Sequence, residues 1–312
     1  MIATIKPGSA SGTVLAPPSK SMAHRLMICA GLSKEHSRIS NIKLSQDVLA
    51  TMDCLRALGA TCEYKDDVID IDGVDIAASR DGDITLPCRE CGSTLRFMVP
   101  IALVTGAACN FTGSERLMER PMTVYEDICQ KQGLTFVRKD GGITTEGKLS
   151  AGDYQVAGNI SSQFISGLLF VLPLLEADST ISLIPPVESR SYINMTVNAL
   201  AQFGVKVTWK DENTLLIAGG QNYQGRDIQV EGDYSNAAFL EAFNCIRKGT
   251  YLDAMNVTGL IPDSLQGDKV YLKHFRSLSE GYVTIDITDC PDLGPILFAV
   301  AAVNHGAHFT GT

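Results

Sequence analysis

The sequence predicts an α/β chain, long enough for two domains and built from β-α-β-α-β-β repeats around buried helices, with the last repeats missing. Three observations carry this. A helix that stops at a glycine and runs on into a strand, a polar turn and a second strand recurs three times, about 70 residues apart. A second series of helices, apolar nearly all round, interleaves with the first. Finally, 312 residues at 45% hydrophobic and 20% charged supply enough apolar material for two cores.

The first series reads Leu55-Arg56-Ala57-Leu58-Gly59, Ile128-Cys129-Gln130-Lys131-Gln132-Gly133 and Leu200-Ala201-Gln202-Phe203-Gly204. Glycine ends a helix because it takes the left-handed conformation without a Cβ clash. Each following strand meets a polar turn, at Lys65-Asp66-Asp67, Lys139-Asp140-Gly141-Gly142 and Lys210-Asp211-Glu212-Asn213. The second series covers residues 19–30, 92–104, 161–175, 235–246 and 291–303. Helices with no polar face are expected to lie between other elements, leaving their polar N-termini free to converge. The strands Ser37-Arg38-Ile39-Ser40, Ala108-Cys109-Asn110-Phe111 and Ser179-Thr180-Ile181-Ser182 follow the first three. The fifth helix opens at Pro291-Asp292-Leu293-Gly294, and residues 307–312 read as its following strand and turn. No second helix or strand pair follows, and a buried apolar helix needs a partner layer. The chain therefore reads as C-terminally truncated.

A net charge of −9 and a pI near 5.1 disfavour a nucleic-acid-binding surface but leave room for a local basic pocket. No run of 18 apolar residues predicts a membrane span, and Met1-Ile2-Ala3-Thr4-Ile5-Lys6 lacks the layout of a signal peptide. Nine scattered cysteines fit free thiols in a reducing cytoplasm. Cys88-Arg89-Glu90-Cys91 has C-x-x-C spacing, but no second Cys or His pair stands at zinc spacing, so these read as structural thiols. The five histidines show no triad or metal spacing and read as structural or solvent-facing.

Candidate chemistry gathers at the helix starts. Ala16-Pro17-Pro18-Ser19-Lys20-Ser21-Met22-Ala23-His24-Arg25 ends an extended lead-in with two prolines and opens the first apolar helix. Its free N–H groups and the cations Lys20 and Arg25, within about one and a half turns, suit an anion. Gly92-Ser93-Thr94-Leu95-Arg96 opens the second, where glycine lets a ligand approach the backbone; a plain N-cap explains it equally well. Arg120, held extended by Pro121, either aims at an anion or is a solvated loop residue. Gly158-Asn159-Ile160-Ser161-Ser162-Gln163 opens the third with more polar groups than one cap needs. Ser189 and Tyr192 lie ahead of the next helix, where the aromatic either covers a small ring or packs on its own domain. Asp292 opens the fifth, as a dipole partner or a base.

Taken together and in order, Lys20-Ser21-x-x-x-Arg25, Gly92-Ser93-Thr94-Leu95-Arg96, Glu119-Arg120-Pro121, Ser161-Ser162-Gln163, Ser189-x-x-Tyr192 and Pro291-Asp292 resemble the 5-enolpyruvylshikimate-3-phosphate synthases. Thr258-Gly259-Leu260 and Asp263-Ser264-Leu265-Gln266-Gly267-Asp268 add to the likeness. The resemblance implies an enolpyruvyl transferase-like fold of two three-repeat domains. Residues 18–226 would form one domain, and 1–17 with 227–312 the other, discontinuous and incomplete. It implies transfer of the enolpyruvyl group of phosphoenolpyruvate to the 5-hydroxyl of shikimate 3-phosphate by a monomer, with no cofactor, metal, nucleic acid or membrane partner. Lys20 would touch both substrates, and Lys20 and Asp292 would be catalytic, Asp292 as the base. Ser21, Arg25, Ser161, Ser162, Ser189 and Tyr192 would hold shikimate 3-phosphate, Gly92 and Arg120 phosphoenolpyruvate, and Gln163 would lie between them.

The sequence departs from the family where Glu90 replaces a common Asn, and where a later Lys-Glu-Ser-Asp-Arg motif has no counterpart. The resulting expectation is a shikimate 3-phosphate site that turns over poorly or not at all, with a binding-only fragment as the competing reading. A UDP-N-acetylglucosamine enolpyruvyl transferase would instead carry Lys-Asn in place of Lys20-Ser21.

Overall fold

The computed structural model describes residue 4 and residues 10–78, 82–246 and 254–311. The chain divides into two units, Lys20–Val230 and Met1–Ser19 with Glu231–Thr312.

After β1 (Gly12–Leu15), the first repeat runs α1 (Lys20–Gly31), β2 (His36–Ser40), α2 (Gln46–Ala57), β3 (Thr61–Lys65) and β4 (Val68–Asp72). The second runs β5 (Ile84–Arg89), α3 (Gly92–Thr105), β6 (Cys109–Gly113), a single turn α4 (Glu115–Met118), α5 (Thr123–Gln132), β7 (Thr135–Lys139) and β8 (Gly142–Glu146). The third runs β9 (Asp153–Ala157), α6 (Ser162–Val171), β10 (Ser179–Ile184), α7 (Arg190–Gln202), β11 (Val207–Trp209) and β12 (Thr214–Ile217). The glycines predicted to end helices do so: Gly59, Gly133 and Gly204 have φ of 96°, 67° and 82°. The first two polar turns are tight hairpins, with Asp66-Asp67 and Asp140-Gly141 all at positive φ.

Each repeat builds a four-stranded sheet with one parallel pair, in the orders β5-β6-β8-β7 and β9-β10-β12-β11 for the second and third. The first repeat has no opening strand of its own next to α1. That place is taken by β13 (Asp227–Gln229), which arrives last and pairs parallel with β2, Asp227 opposite Arg38. The unit thus closes on itself through a pairing that spans nearly its whole length.

The apolar helices α1, α3 and α6 are buried as their sequences require, and Phe97 of α3 meets Phe170 of α6 edge-on at 5.4 Å. Pro100 lies inside α3 and has no N–H, so the carbonyl of Arg96 loses its helical partner. The Tyr125 hydroxyl reaches that carbonyl at 2.7 Å and lies 3.1 Å from the carbonyl of Phe164 on α6. Gly167 leaves the space: a Cβ there would stand 2.2 Å from the Tyr125 hydroxyl and 2.7 Å from the Arg96 carbonyl oxygen.

In the other unit β1 pairs parallel with β14 (Met255–Thr258), and β15 (Val283–Asp286) with β16 (Ala307–Thr310). The helices are α8 (Tyr234–Ile246), α9 (Tyr271–Glu280) and α10 (Gly294–Val303), around Tyr234, Tyr271, Phe275, Leu278, Leu293 and Leu297. Here the expectation of burial all round is corrected. Phe239, Phe243 and Ile246 on α8 and Phe298 and Val303 on α10 are exposed. Among the described residues of this unit, three helices and two two-stranded sheets cover only one face of each helix.

Tyr125→Phe is expected to orphan the buried Arg96 carbonyl and lower unfolding stability by about 1–3 kcal/mol. Gly167→Ala should cost a similar amount, because the nearest obstacle beyond the hydroxyl is backbone. Urea unfolding of both variants checks this; unchanged midpoints would remove the constraint.

Candidate functional site

Within Lys20–Val230, contacts between side chains draw the first turns of α1, α3, α6 and α7 together. Cys91, at the end of the chain turn after β5, caps α3 by accepting the Thr94 N–H at 3.4 Å. The next residue, Gly92, has no side chain where one would collide: a Cβ would lie 2.3 Å from Arg120 Nη1. The exposed Arg120 guanidinium is thus laid against the start of α3, where the helix dipole already favours an anion.

Ser161 caps α6, its Oγ accepting the Gln163 N–H at 3.4 Å, and Ser162 is buried beside it. Gln163 joins the two helices. Its Nε2 donates to Ser93 Oγ at 2.8 Å, and its Oε1 accepts from Arg96 Nη1 at 2.7 Å. The Arg96 guanidinium also lies 5.0 Å from the centre of the Phe164 ring. Burial, and then the charge of Arg120, pull the Arg96 pKa below its usual value.

Arg25 sits one turn into α1 and is buried. Its Nε donates to Thr196 Oγ1 at 2.8 Å, Nη1 to the Ser21 carbonyl at 2.7 Å and Nη2 to the Tyr192 carbonyl at 3.1 Å. Its guanidinium lies 5.6 Å from the centre of the Phe97 ring and 5.9 Å from that of Tyr192. Burial lowers its pKa to about 10, so it stays charged at neutral pH. Arg25 therefore ties α1 to the start of α7. Ser189 precedes α7 in the left-handed conformation, φ 54°, and makes no side-chain capping bond. Tyr192 is half-buried in the first turn of that helix, a correction to the expectation that it lies ahead of it, because the helix begins at Arg190.

Lys20 is exposed at the start of α1, and its Nζ donates to Asp47 Oδ2 at 2.8 Å. Burial is the largest influence on Asp47 and works to raise its pKa. The hydrogen bond and charge of Lys20, with His24 and Cys91, outweigh it and hold the carboxyl below its usual value. His24, read from sequence as structural or solvent-facing, is wholly buried, with Nδ1 2.7 Å from Thr51 Oγ1. Thr51 Oγ1 is in turn 2.8 Å from Thr94 Oγ1. Burial, then the Lys20 charge, lowers the His24 pKa to about 4, so the ring is neutral at pH 7.

The structure thus joins Gly92 with Arg120, and Arg25 with Ser21 and Tyr192, while Gln163 meets Ser93 and Arg96. Asp292 belongs to the other unit, exposed in a 3₁₀ turn, Pro291–Leu293. Beside it electrostatically is Asp268, which sequence reasoning gave no chemical part. Asp268 is buried, accepts from the Ser235 hydroxyl, and has one carboxylate oxygen without a hydrogen-bond partner. Burial raises its pKa to about 7; Asp292 and Asp233 add to the rise, against the Ser235 bond. Ser93, Arg96, Asp47 and Thr51 were also passed over. Ser93 and Arg96 stood inside a motif already singled out. Asp47 carried the weak signal of an acid in a helix's first turn, after its capping Ser45.

The family model described as EPSP synthase (3-phosphoshikimate 1-carboxyvinyltransferase) matches residues 5–309. The 3-phosphoshikimate 1-carboxyvinyltransferase of Clostridium beijerinckii is 39% identical, over 97% of this chain and 74% of its own length. That of Clostridium kluyveri is 38% identical with the same coverage. The chain therefore spans about three quarters of the length of these relatives. Among solved structures, EPSP synthase from Acinetobacter baumannii superposes with a TM-score of 0.76 at 20% identity, covering 98% of this chain and 76% of that one. The enolpyruvyl transferase NikO from Streptomyces tendae does so with a TM-score of 0.67 at 14% identity, covering 96% and 75%.

Because His24 is buried neutral, the unfolded chain takes up a proton near pH 6.5 that the folded chain refuses until about pH 4. The stabilisation from this residue is complete above pH 6.5 and is lost as pH falls through that window, by about 3 kcal/mol in all. His24→Asn should flatten that part of the stability profile, measured as urea midpoint against pH.

Proposed function

The chain belongs to the EPSP synthase (3-phosphoshikimate 1-carboxyvinyltransferase) family, transferases of the shikimate pathway, and we propose that its residues carry out that transfer as follows. The enolpyruvyl group of phosphoenolpyruvate moves to the 5-hydroxyl of shikimate 3-phosphate; a new C–O bond forms, the C–O bond to phosphate breaks, and phosphate leaves. The observation that carries this reading is the meeting of helix starts and fixed cations in a protein of net charge −9. Both substrates are anions, and such a site offers N–H donors and guanidinium groups that need no rearrangement to receive them.

In this reading Gly92 and Arg120 hold phosphoenolpyruvate over the start of α3. Ser21, Ser161, Ser162 and Ser189 receive shikimate 3-phosphate, with Tyr192 against its ring and Arg25 supplying charge from below. Gln163, already bridging α3 and α6, lies between the two substrates. Lys20 leaves Asp47 to touch both substrates and stabilise developing charge, and Asp292 takes the proton of the attacking hydroxyl. The two units, Lys20–Val230 and Met1–Ser19 with Glu231–Thr312, act as the two domains, their boundary lying a few residues past 226 because β13 pairs with β2. No described helix is long and apolar enough to cross a membrane. The reading has the protein act in the cytoplasm, as a monomer, on small anionic molecules.

Calorimetric titration with shikimate 3-phosphate tests the site, with UDP-N-acetylglucosamine as control. Saturable binding of the first alone is expected, and Gln163→Ala should weaken it about tenfold. Phosphate release from phosphoenolpyruvate, dependent on shikimate 3-phosphate, then tests turnover; Lys20→Met should lower kcat by roughly 10²-fold or more. Failure of the folded protein to bind shikimate 3-phosphate would overturn the reading.

A further inference from the structure

Where α1, α2 and the start of α3 meet, a ring nitrogen of His24, a carboxylate oxygen of Asp47 and Sγ of Cys91 lie within 4.8 Å of one another. No stretch of sequence pairs these residues. They come from three helix starts, and Cys91 is there because it caps α3. His24 is 1% exposed, and its Nε2 is buried without a hydrogen-bond partner. A buried ring nitrogen left unmatched is costly unless something fills its lone pair or accepts its proton.

We propose that His24, Asp47 and Cys91 form a binding site for one thiophilic divalent cation, zinc in the first instance. The donor set, one imidazole nitrogen, one thiolate and one carboxylate oxygen, is a combination zinc accepts. At bond lengths of about 2.0–2.3 Å the ligand atoms of a tetrahedral ion stand about 3.5 Å apart. The three atoms, at most 4.8 Å apart, need to close by up to about 1.3 Å to hold the ion. Three protein ligands leave the fourth position to water. An outer shell already stands in place: Nδ1 lies 2.7 Å from Thr51 Oγ1, itself 2.8 Å from Thr94 Oγ1, and in the tautomer that donates from Nδ1 to Thr51 the Nε2 presents its lone pair to the cation. The Asp47 side chain is 30% exposed, so a cation has a way in. Binding displaces the Cys91 thiol proton to solvent and takes the carboxylate from Lys20, whose Nζ is 2.8 Å from Asp47 Oδ2. The cation thus competes with the ion pair that holds Lys20, and this holds whether or not the proposed transfer occurs.

The test uses the full chain, stripped with chelator and titrated with Co²⁺ as a spectroscopic probe, then with Zn²⁺ in competition. One equivalent of Co²⁺ should produce a thiolate-to-cobalt charge-transfer absorption that Zn²⁺ abolishes. Cys91→Ser, whose hydroxyl keeps the cap, should remove that absorption and weaken Zn²⁺ at least tenfold. Asp47→Asn should weaken it similarly, and Thr51→Val should lower affinity by about tenfold through the outer shell. Cys245→Ser, at the one cysteine that is not buried among the described residues, should change nothing. Circular dichroism confirms that each variant is folded. An absorption that survives Cys91→Ser, or is lost in Cys245→Ser, would overturn the site, as would its absence from the unmodified chain. None of these readouts depends on turnover, so the site and the proposed reaction fail or stand separately.

Discussion

A single carbonyl group organises the three-repeat unit. Pro100 strips the Arg96 carbonyl of its helical donor in the middle of a buried helix, where an unmatched oxygen is costly. Tyr125, from a different helix of the same repeat, answers it, and the same hydroxyl lies against the Phe164 carbonyl of the next repeat. Gly167 must lack a side chain for this to happen. The consequence reaches the surface. Arg96 and Phe164 are adjacent in space at the starts of α3 and α6, and Gln163 spans them. A buried hydrogen bond thereby helps set the spacing of two helix N-termini, and with it the placement of Gly92, Ser93, Arg96 and Gln163.

Electrostatics then divides the labour among the cations. Arg25 is buried and held through three N–H bonds, so its charge is part of the framework, lowered in pKa but not extinguished. Arg120 and Lys20 are exposed. Lys20 is held by Asp47, so its charge is balanced until something displaces the carboxylate. An overall acidic protein can thus carry a local basic site because the balance is struck residue by residue, over distances shorter than the screening length. In the other unit a buried acid stands instead: burial first, and then the charges of Asp292 and Asp233, raise the Asp268 pKa to about 7.

Much of this was legible in the residues. The helix starts and glycine stops appeared at the expected positions to within a residue or two, because capping, left-handed glycine and apolar periodicity act over a single turn. The polar motifs at the helix starts were legible for the same reason, each being a helix start with more hydroxyls, amides or cations than a cap requires. What those groups touch was not. Gln163 was singled out, but its partners Ser93 and Arg96 lie some 70 residues away. Asp47 and His24 looked ordinary because a lone acid in a first turn and a lone histidine in an apolar helix each have a sufficient local explanation. The exposure of Phe239, Phe243 and Phe298 was unreadable too, since periodicity reports how apolar a helix is and not how many faces are covered.

By itself the sequence determined the repeat, its helices, their ends, and which helix starts bear cations and hydroxyls. These follow from dihedral preferences and side-chain spacing within a few residues. Only the tertiary structure decided how the strands close. β13 leaves the end of the unit to supply the first repeat's missing strand, and β1 pairs with β14, more than 200 residues away. Strand pairing is a contact between backbones that carry no address of their own. A short strand such as Asp227–Gln229 or Gly12–Leu15 has several edges it could join by pattern alone. The choice is made by packing, when the helices that connect the strands must bury the same faces at once.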